Sequence, residues 1–158
     1  MKIPYWAKIV IGILTCNLVG IIASGVTLDA IPGWYAQLNK PFFNPPNWVF
    51  GPVWTLLYTL MGVGAAGIWQ VGLDQSRVKR SLSIFGIQLI LNGIWSFLFF
   101  GLKKPLLAFL EILLLLVAIV MTMYQFKKIK PWAAWLLLPY LLWVAFASIL
   151  NYAIILLN

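Results

Sequence analysis

The amino-acid sequence predicts an all-α integral membrane protein, a bundle of five transmembrane helices with little mass outside the bilayer. Three observations predict it. Hydrophobic types fill 63% of the 158 positions and charged types only 9%, against roughly 25% charged in a soluble domain. The apolar residues fall into five runs, each near the ~20 residues that a ~30 Å hydrocarbon core requires. The basic residues sit at the ends of those runs, where a membrane protein sets its topology. Backbone groups in lipid must bond within their own segment, so each run is read as a helix.

The first span is placed at 5–26. Lys2, Lys8 and an apolar run ending at Ala23-Ser24-Gly25 resemble a secretory signal peptide. The run is nevertheless long enough to span, so it is read as a retained helix. A long connection, 27–45, follows with Pro32, Gly33, Pro41 and Pro45. Its Trp34, Tyr35, Phe42 and Phe43 disfavour a loop free in water. It is expected to fold over the bundle as a lid, with a short helical piece near 34–38. The second span, 46–71, starts after Pro45-Pro46, with Asn44 as a candidate cap. Spans three to five are placed at 78–101, 104–126 and 131–157, joined by short turns. Pro52 and Pro139 are expected to bend their helices.

Lys2, Lys8, Arg77, Lys79, Arg80, Lys127, Lys128 and Lys130 gather on one side, and Lys40, Lys103 and Lys104 on the other. The positive-inside rule then puts the N-terminus in the cytoplasm, with the C-terminus and the long loop outside. The net charge of +8 is assigned to this role, and nucleic acid is rejected as a partner. The single cysteine, Cys16, allows no internal disulfide. The chain has no His, which excludes His-based metal sites and His acid–base catalysis. No metal site and no resident cofactor are expected. No repeats are visible.

Converting position to depth at about 1.5 Å per residue brings unusual residues to one level. Phe50, Trp54 and Tyr58 share a side of span two at i, i+4, i+8. Gln88, Asn92, Trp95 and Ser96 lie in the outer half of span three, and Trp143, Ala147 and Asn151 on span five. Ser24 and Gly25 reach the same level, and Glu111 lies about two turns into span four. Together they predict a pocket with aromatic walls and few polar groups, beneath the loop, suited to a flat and largely apolar ligand. Trp6, Trp48, Trp69, Trp132 and Trp135 are read instead as an interfacial belt. For Trp54, Trp95 and Trp143, helix packing and ligand contact remain alternatives. For Gln88, Asn92 and Asn151, hydrogen bonding across helices is the alternative reading. Glu111 is a functional candidate by its depth, with snorkelling or pairing with Lys104 as the plainer reading. Gly62 with Ala66, and Gly20 with Ser24, allow close helix approach.

At these residues the chain resembles the translocator protein or tryptophan-rich sensory protein family (TspO/MBR, peripheral-type benzodiazepine receptors). The resemblance covers nearly the whole chain. It rests on Trp34-Tyr35, Lys40-Pro41 and Pro45-Pro46-Asn47-Trp48-Val49-Phe50-Gly51-Pro52-Val53-Trp54, with Leu57-Tyr58 and Met61-Gly62. It continues at Gln88, Leu91-Asn92, Trp95 and Phe99-Phe100-Gly101, then at Pro139-Tyr140-Leu141, Trp143, Ala145-Phe146-Ala147 and Leu150-Asn151-Tyr152. The resemblance implies a five-helix bundle that forms homodimers and binds protoporphyrin IX and isoquinoline or benzodiazepine ligands. It maps a pocket onto Ala23, Trp34, Tyr35, Phe50, Trp54, Asn92, Trp95, Trp143, Ala147 and Leu150, to which the depth argument adds Tyr58. The animal members' sterol motif ends on a basic residue, whereas here Ala153 to Asn158 supplies none. That fits a member from a bacterial cell membrane.

Three functional readings follow. The first is a receptor or carrier for metal-free tetrapyrroles, held by Trp54, Trp95 and Trp143 with Asn92 or Trp54 donating hydrogen bonds. The second is light-dependent porphyrin breakdown with Trp54 and Trp143 as electron partners and no ordinary catalytic residues. The third, a secondary transporter, is disfavoured by the absence of repeats.

Overall fold

A computed structural model describes residues 3–158; Lys2, counted above for orientation, lies outside them. Five stretches are helical, long and apolar enough to cross a membrane: Tyr5–Tyr35, Asn47–Trp69, Ser76–Gly101, Pro105–Lys127 and Pro131–Leu157. The first is α1 (Tyr5–Ala30), continued by a π-helical turn at Ile31–Tyr35. The second is α2 (Asn47–Trp69). The third is α3 (Ser76–Ser96), ending in a second π-helical turn at Phe97–Gly101. The fourth is α4 (Pro105–Lys127). The fifth is broken into α5 (Pro131–Trp135) and α6 (Leu138–Leu157).

The helices form a ring in which neighbours in space are not always neighbours in sequence. α1 packs on α2 and α3, α2 on α5 and α6, and α4 on α3, α5 and α6. Side chains fix the two ends of the bundle. Lys8 Nζ donates to Gln70 Oε1 at 3.0 Å, joining the start of α1 to the end of α2. At the other end the Asn39 N–H donates to Asn158 Oδ1 at 2.9 Å, joining the long connection to the end of α6.

The first span is longer than expected. Pro32 and Gly33 read as breakers, yet the helix passes through them to Tyr35. Pro32 stands at the start of the π turn, where the shift to i→i+5 bonding accommodates a residue without an N–H. The expected helical piece near residue 34 is therefore the tail of the first span, and only 38–46 is non-helical. Asn44 does not cap α2. Pro46 holds the cap position, and Asn44 Oδ1 instead accepts the Tyr35 hydroxyl at 2.7 Å. Pro52 lies inside α2. Pro139 stands at the start of α6, just beyond the break that ends α5.

Close approach is set by glycine. A Cβ on Gly62 would lie 2.5 Å from the Ile13 nitrogen and 2.6 Å from the Gly12 carbonyl oxygen, so α1 and α2 meet there backbone to backbone. Most of the core lies between this contact and the ring of α3, α4 and α6, around Met61, Phe85, Ile112, Phe126 and Tyr140. A smaller apolar cluster of Tyr35, Phe99, Ala108, Leu150 and Ile154 closes the loop end.

Candidate functional site

Towards the loop end, above the Gly12–Gly62 contact, the helices enclose a cavity of about 500 Å³, within the range of small-molecule sites. Four helices build it. α1 contributes Gly20, Ala23, Ser24 and Thr27, with Tyr35 from its π turn. α2 contributes Phe50, Trp54 and Tyr58, whose i, i+4, i+8 spacing presents one aromatic face. Trp95 comes from α3, with Phe99 and Phe100 from the wide turn that ends it. α6 supplies Trp143, Ala147, Leu150 and Asn151. Helix α4 supplies none of the lining and packs behind α3 and α6.

The walls are aromatic pairs. Trp54 stacks on Tyr58 with centroids 5.5 Å apart, and Trp95 stacks on Phe99 at 5.3 Å. Trp143 meets Phe50 edge-on at 6.1 Å. Most polar groups around the space are already bonded. Trp95 Nε1 donates to Asn151 Oδ1 at 3.3 Å, and Asn151 Nδ2 to the Pro105 carbonyl at 2.9 Å. The hydroxyls of Ser24, Thr27 and Thr55 donate to carbonyls of their own helices. Both the Trp54 and Trp143 indoles line the cavity, and among the described residues neither N–H has an acceptor.

The mouth is lateral. Ile21, Leu28, Asn47, Trp48, Gly51 and Thr55 both line the cavity and are exposed, which places the opening between α1 and α2. The non-helical part of the connection, 38–46, does not line the cavity. The roof is the end of α1 and its π turn, through Ile31 and Tyr35, and the connection lies over that roof. It is fastened there by reciprocal bonds. Asn39 Nδ2 donates to the Leu157 carbonyl at 3.2 Å, and Asn158 Nδ2 to the Asn39 carbonyl at 2.9 Å. Lys40 Nζ donates to the Leu38 carbonyl at 3.1 Å and lies 4.9 Å from the centre of the Tyr35 ring.

Of the residues singled out from sequence, Ala23, Tyr35, Phe50, Trp54, Tyr58, Trp95, Trp143, Ala147 and Leu150 line this space. Trp34 packs behind it, edge-on to Phe99 at 5.7 Å. Asn92 is buried behind the wall, bonded to Tyr58 and Tyr140, and does not reach the cavity. Its amide is therefore not free to donate to a guest from this position. Glu111 is also absent from the cavity. It is buried, and among the described residues neither carboxylate oxygen has a partner, so it does not pair with Lys104. Sequence reasoning missed Trp48, which was assigned to the belt and is 75% exposed but also forms the mouth. Phe99 and Phe100 also line the cavity, from the π turn at Phe97–Gly101, where the ordinary helical spacing used to read faces from sequence does not hold.

The TspO/MBR family model matches residues 12–157. The chain belongs to the TspO/MBR family. Among its relatives, the tryptophan-rich protein TspO of Archaeoglobus fulgidus is 47% identical, over 96% of this chain and 97% of its own length. That of Chlorobaculum tepidum is 43% identical over 90% of each chain. The human translocator protein is 40% identical over 77% of this chain and 72% of its own. With the five apolar helices, this makes the chain an integral membrane protein of the TspO/MBR family.

Proposed function

We propose that the protein is a membrane receptor for flat, largely apolar tetrapyrroles, with protoporphyrin IX as the representative guest, and that isoquinoline and benzodiazepine ligands share the site. One observation carries the reading: Trp54, Trp95 and Trp143, from three different helices, face one cavity of about 500 Å³. Indole faces offer wide stacking surfaces, and the free N–H groups of Trp54 and Trp143 offer polar handles to a ring's acceptors. A belt or a packed helix seam would leave no such space. The lateral mouth between α1 and α2 suits a guest that arrives dissolved in lipid. Carriage of the guest, or its breakdown in light, would each begin from this bound state. The proposal takes the protein to be a homodimer, which native mass spectrometry from detergent would check.

Fluorescence titration of the purified protein with protoporphyrin IX tests the reading. Saturable binding is expected, weakened about tenfold or more by Trp143→Ala and by Trp54→Ala, since each removes a buried aromatic face. Affinity unchanged in both variants would place the guest elsewhere.

A further inference from the structure

A second, smaller hollow opens on the side of the bundle, at the end away from the connection. It measures about 160 Å³, too small for a macrocycle, since ligand pockets usually begin near ~300 Å³. Its lining includes Gly12 and Thr15 of α1, Ala65 and Trp69 of α2, and Leu82 and Phe85 of α3. Gly12 and Ala65 carry little or no side chain, which leaves the depth between the helices. Further towards the cavity, α1 and α3 come together, where a Cβ on Gly93 would lie 3.4 Å from Val19 Cγ1. The hollow is therefore a blind slot. Ala65 and Phe85 are buried in its floor, and Thr15 is exposed at its rim. That rim lies within a membrane-spanning helix, so the slot opens towards hydrocarbon.

The slot has a charged foot. Lys8 precedes Gly12 and Thr15 by four and seven residues and shares their face of α1. Its Nζ lies 5.6 Å from the centre of the Trp69 ring, which lines the slot, and donates to Gln70 Oε1 at 3.0 Å. Both partners are neutral, so among the described residues nothing compensates the ammonium charge. Gln70 accepts through its oxygen, which leaves its amide nitrogen as a second donor beside Lys8. On α3, Lys79 is exposed one turn before Leu82 and on the same side. These residues stand where α1 begins, α2 ends and α3 begins, the level at which hydrocarbon gives way to headgroups.

We propose that this slot seats one acyl chain of an anionic phospholipid, with Lys8 and Lys79 holding its phosphate and Gln70 Nε2 as a further donor. Shape selects a single unbranched chain, and the two cations select a headgroup with net negative charge. A zwitterionic lipid can fill the slot, but its own ammonium offsets the phosphate. A second copy of the chain is a poorer fit. Parallel copies related by a two-fold axis would present the patch to itself, lysine against lysine. The seated chain fills the space that α1 and α3 leave between them and so fastens the first span to the bundle. The site is separate from the aromatic cavity and does not depend on what the cavity binds.

Native mass spectrometry of the full chain tests this, after release from micelles loaded equally with dioleoyl phosphatidylglycerol and dioleoyl phosphatidylcholine. Phosphatidylglycerol is expected to be retained about fivefold or more over phosphatidylcholine. The double variant Lys8→Gln, Lys79→Gln is expected to bring that preference within about twofold. Lys127→Gln with Lys130→Gln, on the same membrane face but at the turn between α4 and α5, is expected to keep it. Thr15→Phe plugs the slot from its exposed rim and is expected to lower retention of both lipids about fivefold, since the acyl chain loses its buried apolar contact. Equal retention of the two lipids by the unmodified protein overturns the proposal. So does an equal loss in both lysine pairs, which would make the preference a property of the whole basic face. Unchanged retention in Thr15→Phe places the lipid elsewhere, and a shift from dimer to monomer in that variant gives the slot to a second copy; either result overturns the proposal. If Thr15→Phe loses its far-ultraviolet helical signal, the smaller Thr15→Leu decides the same outcomes.

Discussion

Glu111 and Gly62 show how a single side chain, or its absence, acts in this bundle. The Glu111 carboxyl group is buried, with no partner for either oxygen among the described residues, a costly arrangement in an apolar interior. Glu111→Leu is expected to stabilise the protein by about 1–3 kcal/mol, the usual cost of an unsatisfied buried polar group. A higher midpoint in detergent thermal unfolding would show it, and a lower one would mean that the carboxyl group has a task the fold depends on. Gly62 is the opposite case. Its missing side chain lets α1 and α2 touch at Gly12 and Ile13. Gly62→Ala is expected to cost about 1–3 kcal/mol through overpacking against backbone. Gly86, where a Cβ would meet nothing within 4 Å, should tolerate alanine or gain up to about 1 kcal/mol from helix propensity. The same thermal scans compare the two. Neither Glu111's isolation nor Asn92's retreat behind the wall was legible in the sequence. Depth along a helix can be counted from residue numbers, but the direction a side chain faces depends on how far its helix is rotated against neighbours.

At the scale of elements, aromatic periodicity made the cavity legible while the ends of helices obscured it. Phe50, Trp54 and Tyr58 share a face whatever the tertiary context. Trp143 and Ala147 do the same one turn apart. The π-helical turns at Ile31–Tyr35 and Phe97–Gly101 cannot be read from residue types, and both carry lining residues. The first also converts an expected loop into the roof. Over that roof, Asn39 and Asn158 bind the connection to the end of α6. These bonds hold the connection over the roof, away from the lateral mouth, and touch no guest. Asn158→Ala is therefore expected to leave the association and dissociation rates of protoporphyrin IX each within about twofold, while the loss of about 1 kcal/mol of hydrogen bonding lowers the thermal midpoint. The dissociation constant should move less than about twofold. Stopped-flow fluorescence separates the two rates. A rise in dissociation alone would mean that the connection contacts the guest.

The whole molecule is a ring of five spans with a packed end and a hollow end. The packed end has glycine contacts between α1 and α2, and the hollow end has indoles. Basic residues divide unevenly between these ends. Among the described residues, Lys8, Arg77, Lys79, Arg80, Lys127, Lys128 and Lys130 lie at the packed end or its turns, with Lys40, Lys103 and Lys104 at the other. The hollow end is then expected to face away from the cytoplasm. In a Cys16→Ser background, a cysteine at Asn158 should react with a membrane-impermeant maleimide on intact cells, and reaction only after lysis would reverse the orientation. The five-span architecture was legible because hydrophobic length alone dictates it. The ring order was not, since it depends on which faces are small enough to meet. The central claim is that the hollow end is the binding chamber. Its most direct test is a crystal structure of the protein grown with protoporphyrin IX. The macrocycle is predicted between Trp54, Trp95 and Trp143, under the π turn that ends at Tyr35. A porphyrin resolved on the lipid-facing surface, with that chamber holding only solvent or lipid, would contradict the account.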